Sequence, residues 1–320
     1  MVSNLMETAF FACSTGSFPI LASDGVRNSG EVYILHPELS GFIKRLPVIS
    51  EDIVDGARVM VAALRSRGMI KNITFVNVLG ELRSRHLSET ETVECLKWWI
   101  GVTKEGNDNK VSQERSQLLH ALVVSVAGPH KRTMRLSNAQ TFLKSKSNET
   151  IIPTNGPLPS TLLPTSITGS FERDTLASVF RWRQLTIVDW LRHLTDLKVA
   201  ATNPEFDVTK SMSWAEEVLS VLVLAWPSLT KTDETDVIGT LSPISCIPTS
   251  TGLNVPNRAY FSNIDLLNLI RDLPVVTMPS GATVEGTLEL VLRSLGVRKH
   301  VELHIIMKRS VLSLSRVRFA

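Results

Sequence analysis

The sequence predicts a mainly helical α+β protein, built from tandem winged-helix-like units that each hold a β-hairpin and three helices. Short motifs recur in one order, apolar residues recur with helical spacing, and a glycine turn precedes each set of helices. We expect two complete units and a third that stops after its second helix. The predicted boundaries are residues 1–102, 118–235 and 236–320.

Three short motifs recur along the chain. The first is a polar turn, the second places a proline between apolar residues, and the third ends a helix. Their copies are Ser14–Gly16 with Ser250–Gly252, Leu46–Val48 with Leu273–Val275, and Leu64–Met69 with Leu292–Val297. The order is kept, with a length difference of about nine residues in the first interval. Three matches in order indicate an internal repeat.

A hairpin is expected before each set of helices, because short apolar runs flank a glycine there. The three predicted hairpins are Phe11–Leu21 around Gly16, Ala121–Leu136 around Gly128 and Pro129, and Ile244–Phe261 around Gly252.

The first helix of a unit shows an apolar face with a glycine at its end in two copies. The faces are Ile53, Ala57, Met60, Val61 and Leu64 before Gly68, and Leu288, Val291, Leu292 and Leu295 before Gly296. The middle copy has the shorter segment Thr175–Phe180.

The second and third helices repeat as well. Thr74–Leu79 aligns with Thr186–Leu191, and each segment reads as a capped helix start with apolar residues at helical spacing. Ser88–Glu91 and Ser213–Glu216 both match a capping box ahead of the third helix.

Two polar stretches read as connections. Residues 103–117 contain few apolar side chains and are predicted to form a linker. Residues 144–170 are rich in Pro, Ser and Thr and are predicted to form a long extended insert within the second unit.

Composition limits the function. No apolar run reaches the eighteen residues that a membrane span requires. The three cysteines, Cys13, Cys95 and Cys246, are widely spaced and suit a reducing, intracellular compartment, either cytoplasmic or nuclear. Residues 298–320 carry six basic residues and one acidic residue, whereas the rest of the chain carries 28 basic and 30 acidic residues. A body so close to neutrality gives no electrostatic argument for a nucleic-acid partner.

Motifs for catalysis, for a cofactor and for a metal are not found. His300 and His304 have a spacing that could hold a metal, but no third ligand is obvious, so we interpret them as a helix face. The basic hairpin residues Lys131, Arg132 and Arg135 are a candidate contact for nucleic acid or an acidic partner. Nucleic-acid binding and a spatially assembled enzyme site therefore stay open as alternatives to a protein-binding role.

Residues 46–85, 171–194, 246–261 and 273–303 together resemble the fungal family called domain of unknown function 3684. The segment Ile247–Gly252 is also similar to segments of sacsin-like chaperones. The resemblance implies a non-catalytic scaffold or partner-binding module that follows a chaperone-type ATPase domain in a much longer protein. The basic tail, residues 307–320, departs from the family pattern, so a fragment or a truncated gene model is expected.

Overall fold

The computed structural model describes residues 19–103, 108–126, 132–143, 151–196, 202, 204–261 and 273–301. Helices predominate, and every sheet among these residues has two strands. The prediction of a mainly helical α+β fold is confirmed. None of the helices in these ranges combines the length and the apolar character needed to cross a membrane.

The helices are short and follow one another closely. In chain order they are α1 Glu51–Gly56, α2 Arg58–Ser66, α3 Phe75–Ser84, α4 Glu89–Thr103, α5 Asp108–Ala121, α6 Thr165–Thr168, α7 Arg173–Phe180, α8 Ile187–Leu194, α9 Met212–Ala225, α10 Lys231–Leu241 and α11 Thr287–Leu295.

The strands form hairpins and short pairs. They are β1 Pro19–Ala22, β2 Gly25–Asn28, β3 Tyr33–Ile34, β4 Lys71–Asn72, β5 Val123–Val126, β6 Arg132–Arg135, β7 Thr141–Phe142, β8 Arg183–Gln184, β9 Ile247–Thr249 and β10 Gly252–Asn254. The pairs β1–β2, β5–β6 and β9–β10 are antiparallel, and β3–β4 is parallel with Tyr33 opposite Lys71.

The internal repeat is visible in backbone hydrogen bonds. One bond closes the loop that leads to the first helix of each copy: Ile49 to Tyr33 at 3.0 Å, Leu163 to Thr141 at 2.9 Å, and Val276 to Tyr260 at 2.9 Å. A second bond follows that helix: Lys71 to Val32 at 3.1 Å, Arg183 to Gln140 at 3.0 Å, and Arg298 to Ala259 at 2.9 Å. These N–H to carbonyl pairs recur in all three copies, so the predicted repeat has a structural basis.

The predicted register of the first hairpin is wrong. The glycine of its turn is Gly25 and not Gly16. The backbone N–H of Ser23 donates to the Val48 carbonyl, and the backbone N–H of Ser250 donates to the Val275 carbonyl, both at 2.8 Å. Ser23–Gly25 is therefore equivalent to Ser250–Gly252. Gly25 and Gly252 each adopt positive φ, 123° and 107°. Gly25 precedes Leu46 by 21 residues and Gly252 precedes Leu273 by 21 residues, so the apparent length difference disappears. Residues 1–18 lie outside the described ranges.

The predicted linker at residues 103–117 is also wrong, because most of it belongs to helix α5. The helix is polar in its first turns and buries Leu118 and Leu119 only near its end. In the next copy, α10 takes the same place ahead of a hairpin. Each of the first two copies therefore has a helix, α5 or α10, between its predicted third helix and the next hairpin, and the three-helix winged-helix plan is not confirmed.

The predicted insert at residues 144–170 is described from residue 151 onward. Residues 151–161 contain no helix or strand, and the short helix α6 follows. Ile152, Leu162, Leu163 and Ile167 are buried, so this part of the insert contributes to packing rather than only crossing the surface.

The chain divides into two compact units, which differ from the predicted boundaries. One unit comprises residues 1–143 and 163–183, and the other comprises residues 144–162 and 184–320. In the first, α4 and α5 pack against β5 and β6 of the next copy; in the second, α9 and α10 pack against β9 and α11. An isolated hairpin buries too little apolar surface to be stable, so β5–β6 and β9–β10 complete their cores with helices of the preceding copy.

A residue of left-handed backbone ends the first helix of each copy. Gly68 and Gly296 follow α2 and α11, as predicted. The residue that follows α7 is Arg181, which has a φ of 60° and is the one non-glycine residue with positive φ among the described residues. Only glycine adopts this conformation without steric cost.

We expect Arg181→Gly to raise the free energy of unfolding by about 0.5–1 kcal/mol. Arg181 is exposed. The pKa of Arg115 is lowered first by the burial of Arg115 itself and second by the charge of Arg181. Arg181→Ala is the control, because it removes the charge and keeps the strained backbone. Urea unfolding of the full chain should show a gain with glycine and little change with alanine; an equal gain with both would assign the effect to charge.

Candidate docking surface

Residues 19–72 form what we call the first module: the hairpin β1–β2, the pair β3–β4 and the helices α1 and α2. Its small core contains five buried apolar side chains, from Ile20, Ala22, Val32, Ile49 and Ile70. Three other large apolar side chains of the module are accessible to solvent. The side chains of Leu21, Val26 and Val59 are 50%, 69% and 86% exposed.

The equivalent surface is covered in the third copy. Leu21 and Pro248 hold the same place in the repeat, since their carbonyls accept from Ser50 and Thr277. Pro248 is buried because α9 packs on β9, whereas Leu21 is half exposed. The exposure of Leu21 is therefore a difference between the copies and not a property of the fold.

The helices show the same contrast. In α11 the side chains of Val291, Leu292 and Leu295 are buried, under α9 and α10. In α2 Val61 is the buried residue, and the other members of its predicted face are only partly covered.

A cavity of about 530 Å³ lies on the first module beside α2. Its apolar lining comes from Ile34, Val54, Val61 and Ala62, and its polar lining from Arg58, Arg65, Ser66 and Asn72. We use the name open surface for this cavity and for the exposed side chains of Leu21, Val26 and Val59 in the same module, which do not line the cavity. Its chemistry is that of an apolar site with a basic rim.

The predicted basic contact lies elsewhere, on the hairpin β5–β6. Lys131 and the side chain of Arg132 fall outside the described residues. Arg135 is exposed, and its guanidinium donates to the His120 carbonyl at the end of α5, at 3.2 Å. None of the described hydrogen bonds or ion pairs places another basic side chain beside Arg135. The contact with nucleic acid or an acidic partner therefore stays a prediction.

A buried charge cluster holds the loop before α1 onto α3. The Glu81 carboxylate accepts from the backbone N–H groups of Lys44 and Arg45, both at 3.1 Å, and from Arg85 Nε at 2.9 Å. Arg85 also donates to Glu91 at 3.0 Å and to the Phe42 carbonyl at 2.6 Å. Sequence reasoning missed this cluster, whose one visible signal is the four-residue spacing of Glu81 and Arg85.

The predicted capping boxes have different outcomes. Ser88 and Glu91 form the predicted box, with N–H to side-chain bonds of 2.9 and 3.2 Å. The box at Ser213–Glu216 is wrong, because α9 begins earlier and Ser211 caps it by accepting from Trp214 N–H at 3.3 Å. Glu216 instead accepts from the Ser280 N–H at 3.0 Å and from the Ser280 hydroxyl.

Glu91 gives the first unit a dependence on pH. Burial opposes its ionisation, but hydrogen bonds from Arg85 and Ser88 outweigh burial and lower the pKa of the Glu91 carboxyl below its ordinary 4.5. A carboxyl group whose pKa is lower in the folded state stabilises that state at pH values above its ordinary pKa. This stabilisation is lost as the pH falls through the pKa of the folded state.

We therefore expect Glu91→Gln to lower the stability of the first unit at pH 7 and to have less effect as pH falls below 4.5. Urea unfolding of both proteins from pH 7 to pH 3 measures the difference. A gap between the two curves that stays constant with pH would contradict the assignment.

The other predicted chemical groups form no described site. Cys95 and Cys246 are buried, and burial raises the pKa of the Cys246 thiol to about 12; Cys13 lies outside the described residues. His300 is exposed and His304 is outside the described residues. The described part of the chain contains no cluster of three or more metal-ligating side chains.

The second unit has an open cavity of about 540 Å³. Phe261, Val276 and Met278 line its apolar side, and Glu285, Glu289, Lys299 and His300 line its polar side. Residues 262–272 and 302–320 adjoin its lining in sequence and fall outside the described residues. The described lining residues of this cavity do not define a ligand or a reaction.

One comparison with known proteins found a match. The model of the family described as "Protein of unknown function (DUF3684)" matches residues 1–316. No curated protein and no solved structure matches the chain.

Proposed function

Because the chain belongs to the DUF3684 family of proteins of unknown function, whose description assigns no activity, we propose a function from the repeat itself. The chain is a non-catalytic scaffold that binds protein, and the open surface of its first module is where a helical partner docks. The family resemblance favours a chaperone-like ATPase protein as the setting for this scaffold.

One observation carries the proposal. The same module occurs three times, and helices of the preceding copy cover it in the second and third copies. Within the described residues, no such helices cover the first copy. In repeat proteins each unit relies on its neighbour to bury its apolar side, so an uncovered unit is a place for a partner.

The covering helices specify the chemistry of the partner. α4 with α5, and α9 with α10, are consecutive helix pairs that turn an apolar stripe towards the hairpin. A partner for the first module should present such a pair, with Leu or Val in the stripe. Acidic residues beside the stripe would complement Arg58 and Arg65 at the rim of the cavity.

A photo-cross-linking residue tests the proposal in cells that produce the full chain. Ala62 lines the cavity and is exposed, so it should cross-link to an amphipathic helical segment. Val76 on α3, which is 74% exposed and lies outside the first module, is the matched control position. Cross-links to nucleic acid from Ala62, or equal protein cross-linking from both positions, would overturn the proposal.

A further inference from the structure

Arg181 holds a backbone conformation that the other two copies give to glycine. Its φ is 60° at the end of α7, whereas Gly68 and Gly296 take the equivalent positions after α2 and α11. A side chain at positive φ costs free energy that glycine avoids, and residues held in this way concentrate at binding sites. The position therefore points to a function for the Arg181 side chain rather than to a requirement of the fold.

The backbone around Arg181 is fixed by its surroundings. The Arg181 N–H donates to the Ala177 carbonyl at 3.1 Å, and the Trp182 N–H donates to the Leu176 carbonyl at 3.3 Å. On either side of Arg181, Phe180 and Trp182 are buried, and their rings stack at a centroid distance of 4.7 Å. These contacts hold the Cα of Arg181 in place, while its side chain is exposed.

A second guanidinium reaches the same end of α7. Arg115 on α5 donates from Nη1 to the Val179 carbonyl at 3.2 Å, and from Nη2 to the Ser112 hydroxyl at 3.2 Å. A positive charge at the C-terminal end of a helix is favourable, because it complements the helix dipole. Arg115 already supplies that charge, so Arg181 adds a second positive charge where one is present.

In the part of the chain that the structure describes, no carboxylate balances these two arginines. Both hydrogen bonds of the Arg115 side chain go to neutral oxygens, and none of the described ion pairs includes Arg115 or Arg181. The pKa of Arg115 agrees with this arrangement, since burial and then the charge of Arg181 lower it. A guanidinium has five N–H donors, so the pair keeps donors for a further acceptor.

We propose that Arg115 and Arg181 form a binding site for a phosphate group at the end of α7. Two positive charges match the charge of a phosphate monoester, about −1.5 to −2 at pH 7, better than the single charge of a carboxylate. The planar N–H donors of a guanidinium also fit two phosphate oxygens at once. The site uses no residue of the open surface, so it stands independently of the proposed function.

Titration of the purified full chain with inorganic phosphate, followed by phosphorus NMR at low ionic strength, tests the site. We expect saturable binding with a dissociation constant on the order of 1 mM. Arg181→Gly and Arg181→Ala should each weaken binding at least about tenfold, because each removes a charged donor. Arg173→Ala is the matched control, since Arg173 is an exposed arginine of the same helix, and it should change binding by less than about twofold.

Urea unfolding of the same variants separates binding from a structural role. Arg181→Gly should be more stable than the parent chain although it binds phosphate more weakly, which a purely structural arginine would not show. Phosphoserine, titrated in the same way, distinguishes a phosphate ester from free phosphate as the ligand, and either ligand supports the site if its binding requires Arg181. No saturable binding of either compound, or equal weakening by Arg173→Ala and Arg181→Ala, would overturn the site.

Discussion

Glu81→Ala is expected to lower the free energy of unfolding of the first compact unit by about 3–5 kcal/mol. The side chain of Glu81 is fully buried and accepts three hydrogen bonds, from the backbone of Lys44 and Arg45 and from Arg85. Removing the carboxylate leaves two backbone N–H groups and part of a guanidinium without an acceptor. A buried charge that loses its partner costs far more than an exposed pair contributes.

Glu94→Ala is the matched control. Glu94 lies in the same unit and pairs with Lys97 at 2.9 Å, but both side chains are about half exposed. Its loss should cost within about 0.5 kcal/mol. Urea unfolding, followed by hydrogen exchange of peptides from residues 75–121, isolates the first unit. Similar losses from the two variants would show that the cluster contributes no more than a surface ion pair.

The repeat and the helix faces could be predicted from the sequence because both are local patterns. Val78, Leu79 and Leu82 are buried on α3, and Trp190, Leu191 and Leu194 are buried on α8, as the apolar spacing predicted. Helical spacing and capping residues act within one or two turns, so the sequence contains them in full.

The register of the first hairpin was misjudged because identical letters were matched instead of equivalent positions. Ser14–Gly16 copies the sequence of the third hairpin, but Ser23–Gly25 copies its hydrogen bonds. Helix α5 was missed because its first turns are polar and its buried residues come only at its end. The stability of this helix depends on tertiary packing, which helix propensities read from the sequence do not include.

The division into two units could not be predicted either. The sequence repeat begins at a hairpin, whereas each compact unit joins the helices of one copy to the hairpin of the next. The exposure of Leu21, compared with the burial of Pro248, depends on which helices are neighbours in space. The candidate docking surface is therefore a result of the structure, although the repeat that defines it was visible in the sequence.

Gly156→Ala is expected to destabilise the second compact unit by about 1–3 kcal/mol. A Cβ at this position would overlap Cη2 of Trp214 and come within 2.7 Å of its Cζ2. The indole has little room to withdraw, because Trp214 is buried and contacts Phe206 and Trp190 edge-on at centroid distances of 5.0 and 6.5 Å. Overpacking forces either the tryptophan or the chain near residue 156 to move.

Gly239→Ala in the same unit should have the opposite sign. Gly239 lies inside α10 with no neighbouring atom within 4 Å of the added methyl, so alanine gains about 0.5–1 kcal/mol of helix propensity. Trp214→Leu in the Gly156→Ala background removes the clashing ring atoms, so the added methyl should cost less there than in the parent chain. Urea unfolding of the parent chain, Gly156→Ala, Trp214→Leu and the double variant completes the cycle, and Gly239→Ala is measured beside them. If Gly156→Ala lowers the free energy of unfolding equally with tryptophan and with leucine at residue 214, the loss comes from the backbone at residue 156. The proposed clash with Trp214 would then be wrong.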